Sequence, residues 1–137
     1  MSDHFDALVD SDAFVGFFVE QDAHFQRCRS AFQAFAGSEK ILVTTNLVVT
    51  ETASMLSRRI TYAIACQFIE FIRDGDFPLI YLDRTLQDSA HTIFLAQNRE
   101  ATSMVDCANV AVSRYYSIPS ILGFDAFYKK FGLALVG

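Results

Sequence analysis

Short apolar runs alternate with longer amphipathic stretches along the chain. The apolar runs predict five strands, at about residues 5–9, 41–43, 79–81, 120–123 and 133–136, the last of them a short edge strand. Apolar residues at helical spacing, preceded by polar caps, predict helices at about residues 12–18, 22–35, 47–59, 61–74, 83–98, 103–116 and 126–131. Strands that alternate with helices favour an α/β fold with a mostly parallel central sheet.

The length and composition of the chain predict one globular domain. The 137 residues match the size of an ordinary domain, and no repeat or Pro/Gly-rich linker divides residues 1–137. Hydrophobic residues make up 52% of the chain, and fourteen of its residues are Phe. A domain of this size is not expected to hide all of them, so we expect apolar surface that serves self-association or partner binding.

The net charge of the chain is negative. Lys plus Arg number 11 and Asp plus Glu number 16, which gives 11 − 16 = −5. Proteins that only bind nucleic acid are usually basic, because their affinity comes from neutralising phosphates. Net acidity therefore counts against a passive RNA- or DNA-binding module. It does not count against a nuclease, whose carboxylates bind the metal that meets the phosphate.

The cysteines and the N-terminal residues indicate a reducing compartment. Cys28, Cys66 and Cys107 are odd in number and form neither a CxxC pair nor a zinc-like Cys/His spacing, so free thiols are expected. The first four residues carry an acid rather than the basic region of a signal peptide. No run of about 18 apolar residues is present, so no transmembrane helix is predicted. The expected location is cytoplasmic.

Four acidic residues occupy positions that would bring them to one edge of the sheet. Asp10 and Asp125 directly follow predicted strands, and ligands of open α/β sheets collect outside the carboxyl ends of the strands. Glu51 and Asp106 lie early in helices that would begin at the same edge. We therefore expect all four carboxylates to face one crevice.

Each acid also has a purely structural interpretation. Ser103 and Asp106 have the spacing of a capping box, in which the carboxylate only satisfies backbone N–H groups. Asp10 and Asp125 are also placed to cap the next helix. Glu51 interrupts a largely apolar segment, where an unpaired carboxylate would be costly unless the position is exposed.

Four segments, in order, resemble the motifs of the PIN-domain nucleases. They are residues 8–14 (LVDSDAF), 44–52 (TTNLVVTET), 103–108 (SMVDCA) and 118–127 (IPSILGFDAF). Within that family the VapC-type toxins of bacterial toxin–antitoxin pairs are the most similar subgroup. The resemblance implies a PIN-like three-layer sandwich with a sheet of about five strands. Asp12 stands where the family often has Asn or Ser, and Gly123 where Thr or Val is common; neither departure removes a carboxylate.

The resemblance implies a metal-dependent ribonuclease. Asp10 and Asp106 are expected to bind the metal directly, Asp125 to complete the cluster, and Glu51 to bind a second metal or to orient water. Clustered carboxylates need cations, and oxygen ligands of this kind suit Mg²⁺ or Mn²⁺. The candidates for supporting roles are Ser11, as a hydrogen-bond donor to a carboxylate or phosphate, and Asp12 and Asn109, in contact with the ligands. The implied partners are an RNA substrate, a second copy of the chain and an antitoxin.

Several alternatives remain open at this point. Basic residues available to hold RNA are Arg58, Arg59, Arg99, Arg114, Lys129 and Lys130, although solvated helix faces account for them equally well. Asp10-Ser11-Asp12 also resembles the opening of haloacid-dehalogenase-type phosphatases, but the later Lys and acid pair of that class are not evident. A catalytically silent PIN-like module that binds a partner is the other alternative.

Overall fold

The computed structural model describes residues 4–137, which form a five-stranded parallel sheet flanked by helices. In chain order the elements are β1 (Ala7–Val9), α1 (Ser11–Phe18), α2 (Phe25–Ala36), β2 (Leu42–Thr45), α3 (Asn46–Arg59), α4 (Tyr62–Asp74), β3 (Leu79–Ile80), α5 (Arg84–Leu95), α6 (Met104–Tyr116), β4 (Ser120–Leu122), a 3₁₀ helix (Ala126–Phe131) and β5 (Ala134–Val136). The strand order is β3-β2-β1-β4-β5, and every pairing is parallel. The predicted α/β class is confirmed.

The sheet separates two apolar cores. Successive side chains of a strand point to opposite faces, so Leu8 and Val9 enter different cores. Leu8 packs with α5, α6 and the 3₁₀ helix, whereas Val9 packs with residues of α1 to α4. Ile121 and Leu122 of β4 divide in the same way. The molecule is therefore a three-layer sandwich in which both faces of the sheet are covered.

Two helix boundaries differ from the predicted ones by three residues, because local hydrogen bonds intervene, and the others agree to within one residue. Helix α2 begins at Phe25 rather than near residue 22, since the Asp22 carboxylate accepts a hydrogen bond from the backbone N–H of His24 in a local turn (2.8 Å). Helix α5 ends at Leu95 rather than near residue 98. There the Gln97 side chain donates to the carbonyl of Ile93 (2.8 Å), which occupies an acceptor at the helix end.

The phenylalanines concentrate on one face of the sheet. The fully buried Phe14 ring lies 5.1 to 5.9 Å, between centroids, from those of Phe32, Phe68 and Phe77, within the range of favourable aromatic contacts. Phe94 is the one exposed phenylalanine, so packing hides more of these rings than the composition suggested. The exposed large apolar side chains are Ile41, Ile60, Tyr62, Tyr81, Phe94, Leu95 and Tyr115. No helix within residues 4–137 is long and apolar enough to cross a membrane.

Helices α1 and α2 approach each other closely at Gly16. A Cβ atom added to this residue would overlap the Sγ atom of the buried Cys28. We predict that Gly16→Ala lowers the free energy of unfolding by about 1–3 kcal/mol, the usual cost of overpacking a core. Chemical denaturation measures this loss. Cys28→Ala removes the obstructing sulfur, so the double variant should recover part of the loss; simple addition of the two single effects would contradict the proposed overlap.

Candidate active site at the carboxyl edge of the sheet

The chain reverses its direction of travel across the sheet between β1 and β4. From β1 it proceeds to β2 and β3 on one side, and it then returns to place β4 on the other side of β1. Ligands of open α/β sheets bind outside the carboxyl ends of the strands at such a reversal point. Asp10 directly follows β1, and Asp125 lies three residues beyond the end of β4. Both predicted acids therefore lie at the reversal point.

The two helical acids come to the same edge. Glu51 lies in the second turn of α3, which directly follows β2. Asp106 lies in the first turn of α6, which runs back across the sheet to lead into β4 and so begins at the carboxyl edge. The carboxyl of Asp106 senses the charges of Asp125, Glu51 and Asp12, and that of Asp10 senses Asp12 and Asp106. The structure thus brings all four predicted acids together, with Asp12 as a fifth.

Internal hydrogen bonds fix one oxygen of several carboxylates and leave the other oxygen free. Ser11 Oγ donates to Oε1 of Glu51 (2.7 Å), and the backbone N–H of Phe127 donates to Oδ1 of Asp125 (2.9 Å). Asp106 receives its hydrogen bond at Oδ1 (3.0 Å). The second oxygens of Glu51, Asp125 and Asp106 accept no hydrogen bond from any residue between 4 and 137. This pattern suits carboxylates that are held in place while they bind something else.

Tyr128 joins two of the acids and was missed by the sequence analysis. Its fully buried hydroxyl lies 2.6 Å from Oδ2 of Asp10 and 3.0 Å from Oδ1 of Asp106, and it accepts a hydrogen bond from Asn109 Nδ2 (3.0 Å). The same Asn109 nitrogen donates to Oδ1 of Asp10 (3.2 Å). The only sequence feature that could have indicated this role is the position of the tyrosine three residues after Asp125. That position is equally consistent with an apolar helix face.

The hydroxyl of Tyr128 has one proton for two carboxyl groups. Burial raises the pKa of Tyr128, so that proton stays in place. Because a tyrosine donates only once, both contacts form together only when one of the two carboxyls also carries a proton. Burial, followed by the charge of Asp12, raises the pKa of Asp10 to about 7. Burial likewise raises the pKa of Asp106 to about 6, with Asp125, Glu51 and Asp12 adding to it. Shared protons therefore relieve part of the repulsion.

No basic side chain of residues 4–137 forms an ion pair with these acids. Burial raises the pKa of Asp12, and the nearby charge of His24 offsets a minor part of that rise. Within residues 4–137 the one ion pair joins His4 and Asp6, which lie outside the site. In that part of the chain no three His, Cys, Asp or Glu side chains are already arranged around a common point as ligands of one ion. The chemistry of the donors nevertheless suits a hard divalent cation, because the free atoms are carboxylate oxygens. Binding an ion would require these side chains to rotate toward each other.

Asp12 and Gly123, the two departures from the family pattern, are in contact. Oδ2 of Asp12 accepts a hydrogen bond (2.9 Å) from the backbone N–H of Phe124, the residue that precedes Asp125. Oδ1 of Asp12 would lie 2.9 Å from a Cβ atom built on Gly123, and Asp10 Cβ would lie 3.2 Å from it. The absence of a side chain at position 123 therefore makes the space that the extra carboxylate occupies.

The capping interpretations are true of some acids only. Asp10 and Asp125 each accept a backbone hydrogen bond at the start of the following helix, in addition to their electrostatic interactions with other acids of the site. At α6 it is Ser103 Oγ that caps the helix, by accepting from the N–H of Asp106 (3.3 Å). The Asp106 carboxylate points to Tyr128 instead, so it does not complete a capping box.

The sheet order, the two helical layers and the acids at the reversal point together define the PIN-like α/β sandwich. No family model and no curated protein matches the sequence. Among solved structures, VapC20 from Mycobacterium tuberculosis, described as a Sarcin-Ricin loop cleaving toxin, has a TM-score of 0.83 at 21% identity, over 94% of this chain and 97% of that chain. FitAcB from Neisseria gonorrhoeae has a TM-score of 0.65 at 11% identity, over 96% of each chain. The predicted PIN-like fold is confirmed; at these identities the likeness concerns the fold.

The raised pKa of Asp10 predicts how stability depends on pH in the absence of divalent metal. The native state keeps a proton that the unfolded chain loses above its ordinary pKa of 3.8, so the contribution of Asp10 to stability falls as the pH rises from about 4 to about 7. Asp10→Asn should therefore gain stability relative to the unsubstituted chain at pH 8 but not at pH 4. Urea denaturation in EDTA at both pH values measures this difference.

Asp88→Asn on the exposed face of α5 is the matched control, because it removes the same charge from a solvated position. It should change stability by a similar small amount at both pH values. Equal effects of pH on the Asp10 and Asp88 variants would contradict the assignment of a buried, protonated carboxyl to Asp10.

Proposed function

We propose that this protein is a divalent-metal-dependent ribonuclease that hydrolyses RNA phosphodiester bonds, acting as the toxin of a toxin–antitoxin pair. One observation carries the enzymatic part. Five carboxyl groups repel each other at the reversal point of the sheet, and no basic side chain of residues 4–137 forms an ion pair with them, the charge of His24 near Asp12 being a minor offset. A protein maintains uncompensated charge of this kind at a cost in stability, which a bound cation would offset.

The residues that would hold the ion are Asp10, Asp106, Asp125 and Glu51, and Mg²⁺ or Mn²⁺ is the cation that their oxygens suit. When bound, the ion supplies Lewis acidity that activates water and stabilises charge on the leaving oxygen. Ser11 holds Glu51 by one oxygen, so Oε2 is free to orient the attacking water and to accept its proton. Asn109 and Tyr128 hold Asp10 from the protein interior, which limits its movement during the reaction.

The toxin assignment is supported by the sequence resemblance to VapC-type proteins and by the fold that the chain shares with VapC20. The resemblance also implies a second copy of this chain and an antitoxin as partners. These two partners remain predictions. The large exposed apolar side chains, such as Tyr62 on α4 and Leu95 at the end of α5, provide surface that either partner would cover.

Substitution of a proposed ligand tests the reaction. Asp106→Asn should abolish Mg²⁺-dependent cleavage of single-stranded RNA, because it removes a charged ligand while keeping the shape of the side chain. Gel analysis of RNA fragments and a circular dichroism spectrum measure activity and fold together. EDTA should stop the unsubstituted enzyme and added Mg²⁺ should restore it. Asp88→Asn should cleave normally; full activity of the Asp106 variant, or of the enzyme in excess EDTA, would refute the proposal.

Tyr128→Phe tests whether the hydroxyl positions the ligands. We expect Mn²⁺ affinity, measured by isothermal titration calorimetry, to fall by roughly 10- to 100-fold, the usual effect of losing a group that orients metal ligands. Tyr115→Phe, on an exposed tyrosine of α6, is the matched control and should bind Mn²⁺ like the unsubstituted protein. Unchanged affinity in the Tyr128 variant would contradict the positioning role. Failure of the unsubstituted protein to bind Mn²⁺ would contradict the metal-dependent mechanism and favour the silent-module alternative.

A further inference from the structure

We infer that a cavity beside the acids binds one nucleotide of the RNA strand, next to the phosphate that is cleaved, with Arg59 contacting a backbone phosphate. This inference rests on the proposed ribonuclease function and adds a substrate subsite to it. The cavity has a volume of about 330 Å³ and is open to solvent on one side. It is lined by Ser11, Asp12, Val15, Asp22, His24, Met55, Leu56, Arg59 and Ile60.

The cavity borders the candidate active site. Ser11, which donates to Glu51, and Asp12, whose charge is felt by Asp10 and Asp106, form part of its wall. A larger groove of about 790 Å³ lies between α3 and α4, but none of the acids lines it. The phosphate to be cleaved must lie at the acids. The nucleotide next to that phosphate would therefore reach the smaller cavity.

Two side chains of the cavity wall, Arg59 and His24, make no side-chain hydrogen bond within residues 4–137. Arg59 is exposed in the last turn of α3 and makes no hydrogen bond or ion pair with any residue in the 4–137 range. The ring nitrogens of His24 make no hydrogen bond in that range, although Asp12 senses the charge of the ring, and the ring is fixed by stacking on Phe124 with centroids 3.9 Å apart. Fixed or exposed donors of this kind, left unpaired, are suited to a polar ligand.

The charged side chains of the cavity wall indicate where the phosphate of a bound nucleotide would lie. Asp12 and Asp22 would repel a phosphate, and the backbone hydrogen bond that one oxygen of each accepts lessens this repulsion without removing the charge. Arg59 is the one arginine or lysine of the wall, so a phosphate is expected at Arg59. Arginine binds phosphate oxygens with two parallel N–H groups, which also fixes the direction of the strand.

The remaining wall is apolar and suits a nucleobase. Val15, Met55 and Ile60 provide it above the fully buried Leu56, and Ile60 is 41% exposed. A nucleobase has a flat apolar face and polar edges, and proteins that bind single-stranded RNA take up unstacked bases on such surfaces. An apolar wall with a cation at its rim therefore matches the two halves of a nucleotide.

The test measures RNA binding in a background that does not cleave. Fluorescence anisotropy with a labelled single-stranded RNA, on the Asp106→Asn protein in Mg²⁺, compares Arg59→Ala with Arg58→Ala at several salt concentrations. Arg58 is the matched control, since it is the adjacent exposed arginine but lines the separate α3–α4 groove. Arg59→Ala should weaken binding several-fold at low salt and reduce the slope of log affinity against log salt by about 0.7, the value for one lost phosphate contact to a single strand.

Ile60→Ala separates the base contact from the phosphate contact. It should weaken binding while leaving the salt slope unchanged, because it removes apolar surface and no charge. Equal binding by the Arg59 and Arg58 variants would overturn the phosphate contact, and unaltered binding by Ile60→Ala would overturn the base contact. If the unsubstituted protein cleaves RNA but these variants bind like their parent, the subsite is wrong and the ribonuclease assignment stands. If the unsubstituted protein neither cleaves nor binds RNA, both are wrong.

Discussion

Mutual repulsion between one buried and four half-buried carboxyl groups is the constraint on which the rest of this molecule depends. Asp10 is only 4% exposed, yet it faces the charges of Asp12 and Asp106. Without a cation, the protein reduces this cost by holding protons and by surrounding the acids with donors from Ser11, Asn109 and Tyr128. The sheet supplies the rigid base for this arrangement, because β1 and β4 pair side by side and bring residues more than 100 positions apart to one edge.

The fold was largely predictable from the sequence because its signals are local. Most strands are short apolar runs, although β2 extends beyond its apolar residues to Thr45, and Thr61, Asp83 and Ser103 are the polar residues that cap the helices following them. The position of Asp10 after its strand also follows from local pattern. The convergence of Glu51 and Asp106 with Asp10 could be expected only from the rule that parallel strands end at one edge, together with the family resemblance.

The contacts between distant side chains were not predictable. Nothing in the sequence indicates that the hydroxyl of Tyr128 reaches Asp10, because that contact depends on how the 3₁₀ helix folds back over α6. The stacking of His24 on Phe124 depends in the same way on a turn that delays the start of α2. Single residues that gain their role from tertiary geometry carry no periodic or spacing signal. The roles of the acids as metal ligands and of Arg59 as a phosphate contact remain predictions for the same reason.

The contact between Asp12 and Gly123 has a consequence for how sequences of this fold can vary. The carboxylate of Asp12 and a side chain at position 123 compete for the same space, since Oδ1 of Asp12 lies 2.9 Å from a Cβ atom built on residue 123. A chain with Thr or Val at position 123 would therefore need a residue at position 12 that keeps clear of that space. The two positions should covary, and each such exchange would alter the number of negative charges at the sheet edge by one.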